Sequence, residues 1–526
     1  MIFKNHPGLS FLALLVICLT SCASPKPITG GPKDETPPKI LWDESTPNKQ
    51  TYFKEKKITI TFDEWITLKD VNTQLVISPF LPQNPEVTLK GKTITIVLPD
   101  SLKEETTYTF NFGNAIADLN EGNILEHFSF AFSTGAVLDS SELSGRVIDA
   151  ITMKPAENIW VMMYPAGEDS AVYKRKPDYV AKTNKEGNWS MENIRPDSFE
   201  IVALKDDNLN FLYDQETELF GWVDEIVTTF EPNTVVPEII VFPKEKRVLI
   251  SDVSHPLPGW IRIAVQSPLP KPEPEFSPAI PGAVKAWSGD TLMIWYNPAD
   301  NYAGNVILHG DTSQVRLSSG IARKAPPFKM VTITGRLHPT GSAQFMTSVP
   351  IVTLDTSRIT LVNDSLGIIP FTIAYDSTDV RKLNVKGEWN TPGRYALTFL
   401  PGATKDAWGR ANDTVHQYIV VIPPDQFGNL NLTIDGLDST KHYLLLLKNG
   451  TQVLEQFSIR DHKTIRIKKE ALLPATYSIE LIEDLNGNNT WDTGVYESHR
   501  QPERRMIFAL DALRAAWDLE ATISWK

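Results

Sequence analysis

Two stretches of this chain carry oxygen-bearing side chains at alternate positions. In KDDNLNFLYD (Lys205 to Asp214) they are Asp206, Asn208, Asn210 and Asp214. In EDLNGNNTWD (Glu483 to Asp492) they are Asp484, Asn486, Asn488 and Asp492. A hard cation such as calcium takes about six to eight oxygens, and alternate residues of a tight loop converge on one centre. Counted from the first aspartate, these residues take positions one, three, five and nine of such a loop. Two features depart from the pattern. Position six, where glycine turns the chain, is Phe211 or Asn489, and position twelve, where a bidentate acid belongs, is Thr217 or Val495. Glu218 and Glu497 follow one and two residues late and are the candidate replacements. The same residues also suit a hydrogen-bonded turn in which Asx side chains cap their own backbone. One reading makes Ca2+ a cofactor; the other requires none.

Other chemistry is sparse. The chain has no Gly-x-Ser-x-Gly elbow, no His-Glu-x-x-His and no glycine-rich phosphate loop with lysine. Its nine histidines are scattered, with no two at ligand spacing on one element, so zinc is unsupported. Asp63-Glu64 and Glu104-Glu105 read as exposed strand-end acids rather than a catalytic pair. A serine nucleophile would need a histidine brought to it from elsewhere in the chain. The expectation is a protein that is not an enzyme.

Composition sets the frame that must position those loops. With 526 residues, the chain is long enough for several domains, and 41% apolar content lets each one bury a core. A net charge of −13 and the lack of a basic stripe exclude nucleic acid as a partner. At the N-terminus, Lys4 precedes the short apolar run GLSFLALLVICLTSC, which is too short to span a membrane and fits a secretory signal. It ends Leu19-Thr20-Ser21-Cys22, which resembles the lipobox of bacterial lipoproteins, in which the cysteine is acylated. That resemblance implies a signal peptide over 1–21, palmitate-type lipid on Cys22 and a membrane attachment through it. Cys18 would leave with the signal, so no disulfide remains possible within the mature chain. Ala23 rather than aspartate after Cys22 favours the outer membrane. In the following ASPKPITGGPKDE the only acids are Asp34 and Glu35, which favours the periplasmic face over the cell surface.

The remainder reads as all-β, a tandem of β-sandwich domains. Residues 22–39 are a Pro/Gly-rich tether. In KKITITFDEWITL, Ile58, Ile60 and Phe62 point one way and Thr59 and Thr61 the other. With TTYTFNF, the loop GNAIADLNEGN and HFSFAFSTG, this segment, 40–136, resembles the SbsA-type bacterial Ig-like domains. Residues 139–245, with LSGRVIDA, TNKEGNWS and RPDSFEIVAL, resemble the transthyretin-like sandwiches that include carboxypeptidase regulatory-like domains. RPDSFEIVALKDDNLNFLYD aligns without a gap to LPATYSIELIEDLNGNNTWD, so 424–526 is read as a second transthyretin-like sandwich. GRYALTFLPGATKDAWG echoes TTYTFNFGNAIADLNEG, so 337–422 is read as a second Ig-like sandwich. Between them, 246–282 reads as a linker with a proline-rich stretch and 283–335 as a small β-module. ALDALRAAWDLE has helix-like spacing, but a closing strand fits it better.

The arrangement resembles a class of envelope lipoproteins with Ig-like domains. It implies a lipid-anchored, non-catalytic interaction or scaffold protein whose partner is an envelope protein or polysaccharide. A carbohydrate-binding accessory lipoprotein is the alternative, and an envelope hydrolase is third. Among the tryptophans, Trp65, Trp160, Trp189 and Trp389 lie in strand-like runs and should be core, whereas Trp222 and Trp408 lie near loops and are the better candidates for a sugar or protein platform. A binder should expose such a platform. A scaffold should instead show stiff contacts between its domains.

Overall fold

In the computed structural model, residues 33–525 are described apart from 127, 169, 232–233, 245–248, 258, 267–272, 297–301, 309–310, 318–327, 364, 377–378 and 390–391. The lipobox, with Cys22, and most of the tether lie outside the described residues. Strands paired through tight turns make up nearly all the regular structure, and the fold is a series of β-sandwiches. No helix among the described residues is long and apolar enough to cross a membrane.

The first sandwich follows its alternation. Lys57–Thr61 pairs with Thr93–Val97, which also pairs with Glu86–Lys90. The facing sheet is Val76–Ser78, Thr107–Asn111 and Ser129–Ser133. Ile58, Ile60 and Phe62 are fully buried against Phe110, Phe130 and Phe132. Each such side chain contributes about 1.5–3 kcal/mol. Trp65 departs from expectation: it is 59% exposed, with its ring beside Gly91, where a Cβ would lie 3.6 Å from Cζ3.

The second sandwich has an apolar face on each side of one sheet. Trp160–Pro165 reads WVMMYP without alternation, and a strand buried on both faces needs just such a continuous run. Val161 and Met163 face the inner core, while Trp160, Met162 and Tyr164 face outward into a second cluster. That outer cluster is roofed by neighbouring sandwiches. Val76 and Phe80 cover it from the first, and Trp491 and Tyr496 from the last.

Residues 246–282 are not simply a linker. Leu249–Leu257 and Trp260–Gln266 form a hairpin, and Trp260–Gln266 pairs on to Thr291–Trp295. Glu275–Ser277 joins a second sheet with Tyr302–Leu308 and Asp311–Leu317. Ile261 and Ile263 are fully buried in this core. Pro256 falls where the register shifts near the hairpin turn, so the ladder tolerates a residue without an N–H there. The stretch read as linker thus supplies three of the seven strands described in this sandwich. The proline run at 267–272 lies outside the described residues.

The fourth sandwich packs Met330–Thr332, Ala343–Thr347, Lys382–Gly387 and Phe371–Tyr375 against a five-stranded sheet centred on Gly393–Phe399. It echoes the first in one detail. Ile66–Leu68 pairs with Ile116–Asp118 there, and Ile351–Leu354 pairs with Thr404–Asp406 here. The last sandwich sets Ile465–Leu472, Gly428–Asp435 and Asp518–Ser524 against a sheet containing Tyr443–Asn449, Ala475–Glu483 and Arg505–Leu513. ALDALRAAWDLE is strand, turn and strand, with Trp517 exposed at the turn.

Candidate functional site

Both Asx loops connect a central strand to the strand that returns beside it. Ser198–Leu204 runs into the first loop and pairs antiparallel with Leu219–Trp222. Ala475–Glu483 runs into the second and pairs antiparallel with Arg505–Leu513.

In the first loop Asp206, only 6% exposed, accepts hydrogen bonds from Asn210 N at 3.3 Å and Phe211 N at 2.7 Å. Asn208 Oδ1 accepts from Asn210 N, and Asn210 Oδ1 from Leu212 N. The Nδ2 groups of Asn208 and Asn210 donate to Asp214 at 3.3 and 2.7 Å. Glu218 is fully buried; its Oε2 accepts from Asp214 N and Gln215 N at 3.1 and 3.0 Å. All five residues expected here come together.

The second loop repeats the pattern. Asp484, fully buried, accepts from Gly487 N, Asn488 N and Asn489 N at 2.7, 3.1 and 2.8 Å. Asn486 and Asn488 donate through Nδ2 to Asp492 at 2.5 and 3.0 Å. Glu497 is not part of it. It is exposed and accepts from Tyr173 Oη of the second sandwich at 3.2 Å. Glu503 takes the place expected of Glu497: Oε1 accepts from Leu485 N at 2.7 Å and Oε2 from Asp492 N at 3.0 Å. The ten residues 493–502 separate Glu503 from the loop, so no linear spacing reveals it. Only the strand register does.

Position six does without glycine in two ways. Phe211 and Asn489 have φ of 61° and 59°, the left-handed region, which asparagine tolerates and a bulky residue such as Phe211 rarely enters. Phe211 is held there by packing between Phe80 and Trp160, with ring centroids 4.8 and 5.0 Å away.

Electrostatically both loops are overloaded with acid. Burial raises the pKa of Glu218, and Asp214 and Asp206 push the same way against the two backbone donors. Burial likewise raises Glu503 to about 7, with Asp492 and Asp484 adding to it. Among the described residues no group of three or more His, Cys, Asp or Glu side chains forms a metal cluster, and in both loops an asparagine Nδ2 is hydrogen-bonded to the last aspartate.

Beside the second loop lies a cavity of about 380 Å³ lined by Lys441, His442, Arg460 and Asp484 among others. In it His442 Nδ1 is 3.2 Å from Asp484 Oδ2, and His442 Nε2 is 2.6 Å from Ser458 Oγ. This is the order of an acyl-transfer triad. Ser458 sits opposite Leu444 in a regular β ladder, however, not on the strained elbow that presents such a nucleophile. Asp484 already spends both oxygens on the loop backbone.

The aromatic platform is absent from its expected places. Trp222 is 5% exposed inside the outer cluster of the second sandwich, and Trp408 packs beside Trp260 and Trp295, donating to Gly259 O at 3.2 Å. Trp160, Trp189 and Trp389 are core as expected.

No curated protein matches the chain. Solved structures similar to it include the Bacillus anthracis TIE protein, at 10% identity over 100% of this chain and 80% of that one, with a TM-score of 0.15. The SGBP-B of the Bacteroides ovatus mixed-linkage glucan utilization locus, solved with a mixed-linkage heptasaccharide, is 8% identical over 72% and 94%, with a TM-score of 0.18. BcpA, the major pilin subunit of Bacillus cereus, is 11% identical over 73% and 99%, with a TM-score of 0.14. At such identities and TM-scores nothing those proteins do carries over to this one. A family model does match part of the chain: residues 34–134 match the bacterial Ig-like domain, and this segment opens a tandem of β-sandwiches.

Proposed function

We propose that the chain is a non-catalytic scaffold of the cell envelope, anchored in the outer membrane by lipid on Cys22. It holds an envelope protein or polysaccharide at a fixed distance from the lipid surface. The observation that carries this reading is the brace between the last sandwich and the second. Tyr496 enters the outer cluster of the second sandwich, with ring centroids 4.9 Å from Phe220 and 5.2 Å from Trp222. Thr493 Oγ1 donates to Pro243 O at 2.7 Å, across 250 residues of sequence. Gln501 Nε2 donates to Trp222 O and Asp224 Oδ1 at 3.2 and 2.9 Å. Other joints are made in the same way. Val180 N donates to Ser78 Oγ between the first and second sandwiches, and Val349 and Trp408 pack on Met293 and Trp295 between the third and fourth. Apolar joints of this kind resist the relative motion that is the default for domains on a chain.

Small-angle scattering tests the scaffold. The wild-type chain should be compact, and Tyr496→Ala should raise its radius of gyration. Equal and extended profiles for both would remove the basis of the reading. For the anchor, Cys22→Ala should lose incorporation of labelled palmitate and leave the membrane fraction; a variant still labelled and membrane-bound would refute it.

A further inference from the structure

The strand registers place an acid opposite an acid at the foot of each Asx loop. Leu204 pairs with Phe220, and Lys205 N donates to Leu219 O, so the next pair is Asp206 with Glu218. Ile482 pairs with Arg505, and Glu483 N donates to Arg504 O, so the next pair is Asp484 with Glu503. Like charges directly opposite on neighbouring strands are destabilising. Here all four side chains are at most 6% exposed, where repulsion is less screened. One hydrogen-bonded turn with this defect would be a local accident. Two in the same place, in chain segments with different spacing, call for a common cause.

A second observation points the same way. Glu218 is fully enclosed, yet Oε1 has no hydrogen-bond partner. Its other oxygen is bonded to the backbone of Asp214 and Gln215, so the carboxylate is fixed against the loop and not turned to solvent. A buried, unpartnered carboxylate oxygen is costly unless something positive meets it.

We propose that each loop is a calcium site, the first built from Asp206, Asn208, Asn210, Asp214 and Glu218 and the second from Asp484, Asn486, Asn488, Asp492 and Glu503. Each supplies three carboxylates and two amides, and the carbonyl at position seven, Leu212 or Thr490, is the backbone ligand such loops use. An amide offers oxygen in place of nitrogen by turning about its last bond, so the asparagines that donate to Asp214 and Asp492 can also ligate. The left-handed residues at position six give each loop the required backbone turn. The assignment does not depend on the scaffold reading, and its test measures binding alone.

The experiment is calorimetric titration of Ca2+ into the full chain after dialysis against chelator, with melts alongside. The wild type should bind two equivalents, and saturating calcium should raise the melting temperature by roughly 5 °C or more. Glu218→Gln and Glu503→Gln should each bind one equivalent, and Glu497→Gln should bind two. Should a buried variant fail to fold, Asn208→Ala and Asn486→Ala change exposed ligands and should each weaken one site at least tenfold. Absence of binding by the wild type overturns the proposal. So does an equal melting shift with Mg2+, or loss of a site in Glu497→Gln but not in Glu503→Gln.

Discussion

Asp118 shows how much one buried side chain can fix. It is 1% exposed, and its carboxylate accepts from Glu121 N, Gly122 N and Asn123 N at 2.6, 2.9 and 2.8 Å. Asp406 does the same work in the fourth sandwich, accepting from Trp408 N and Arg410 N at 3.0 Å each. The loop GNAIADLNEGN therefore closes on a single acid, and its echo in GATKDAWG is physical. Asp118→Ala strands three backbone donors. It should lower the melting temperature of the first sandwich by roughly 5 °C, read by circular dichroism. Burial works to raise the Asp118 pKa, but the backbone donors outweigh it and hold it below the ordinary carboxylate range. Its contribution is therefore complete above that range and is lost as pH falls through the lowered folded value. Between pH 5 and pH 2 the wild type should lose more stability than Asp118→Asn. Equal acid losses in urea melts would deny Asp118 this role.

At the scale of elements, register decided what spacing could not. Glu218 lies close to its loop in sequence and was legible; Glu503 lies beyond a ten-residue excursion and was not. Both are found by counting back along the returning strand. The hairpin Leu249–Leu257 and Trp260–Gln266 was concealed differently. Its alternation, Ile261, Ile263 and Val265 inward, is plain once seen, but the prolines beside it suggested an extended linker. Prolines break a ladder only where an N–H is needed, and Pro256 lies near the turn. Ile263→Ala should cost about 2–5 kcal/mol in a denaturant melt, as for a fully buried core residue. A loss under 0.5 kcal/mol would return this stretch to the status of a linker.

For the whole molecule, the second sandwich is the keystone. Its outer aromatic face is closed by residues from the first and last sandwiches, so chain ends far apart in sequence meet on one surface. Gly494 is what lets the last sandwich come so near: a Cβ there would lie 2.3 Å from Phe242 Cζ. Gly494→Ala should open the brace and raise the radius of gyration while shifting the stability of the sandwiches themselves by no more than about 0.5 kcal/mol. An unchanged scattering profile would mean that the contact is not tight enough to matter.

By itself the sequence determined the fold class, because period-two alternation and turn residues dictate strands wherever they occur. It determined the pairing of the two Asx loops, since the repeat aligns without a gap. The run WVMMYP, apolar at every position, makes sense once the structure covers both faces of its strand. What covers the outer face was left to the tertiary structure, because partner faces from the first and last sandwiches leave no trace in the strand they cover. The tertiary structure also decided which acid stands opposite Asp484. That choice follows from hydrogen-bond register across two strands, and register is a property of the pair that neither segment carries alone.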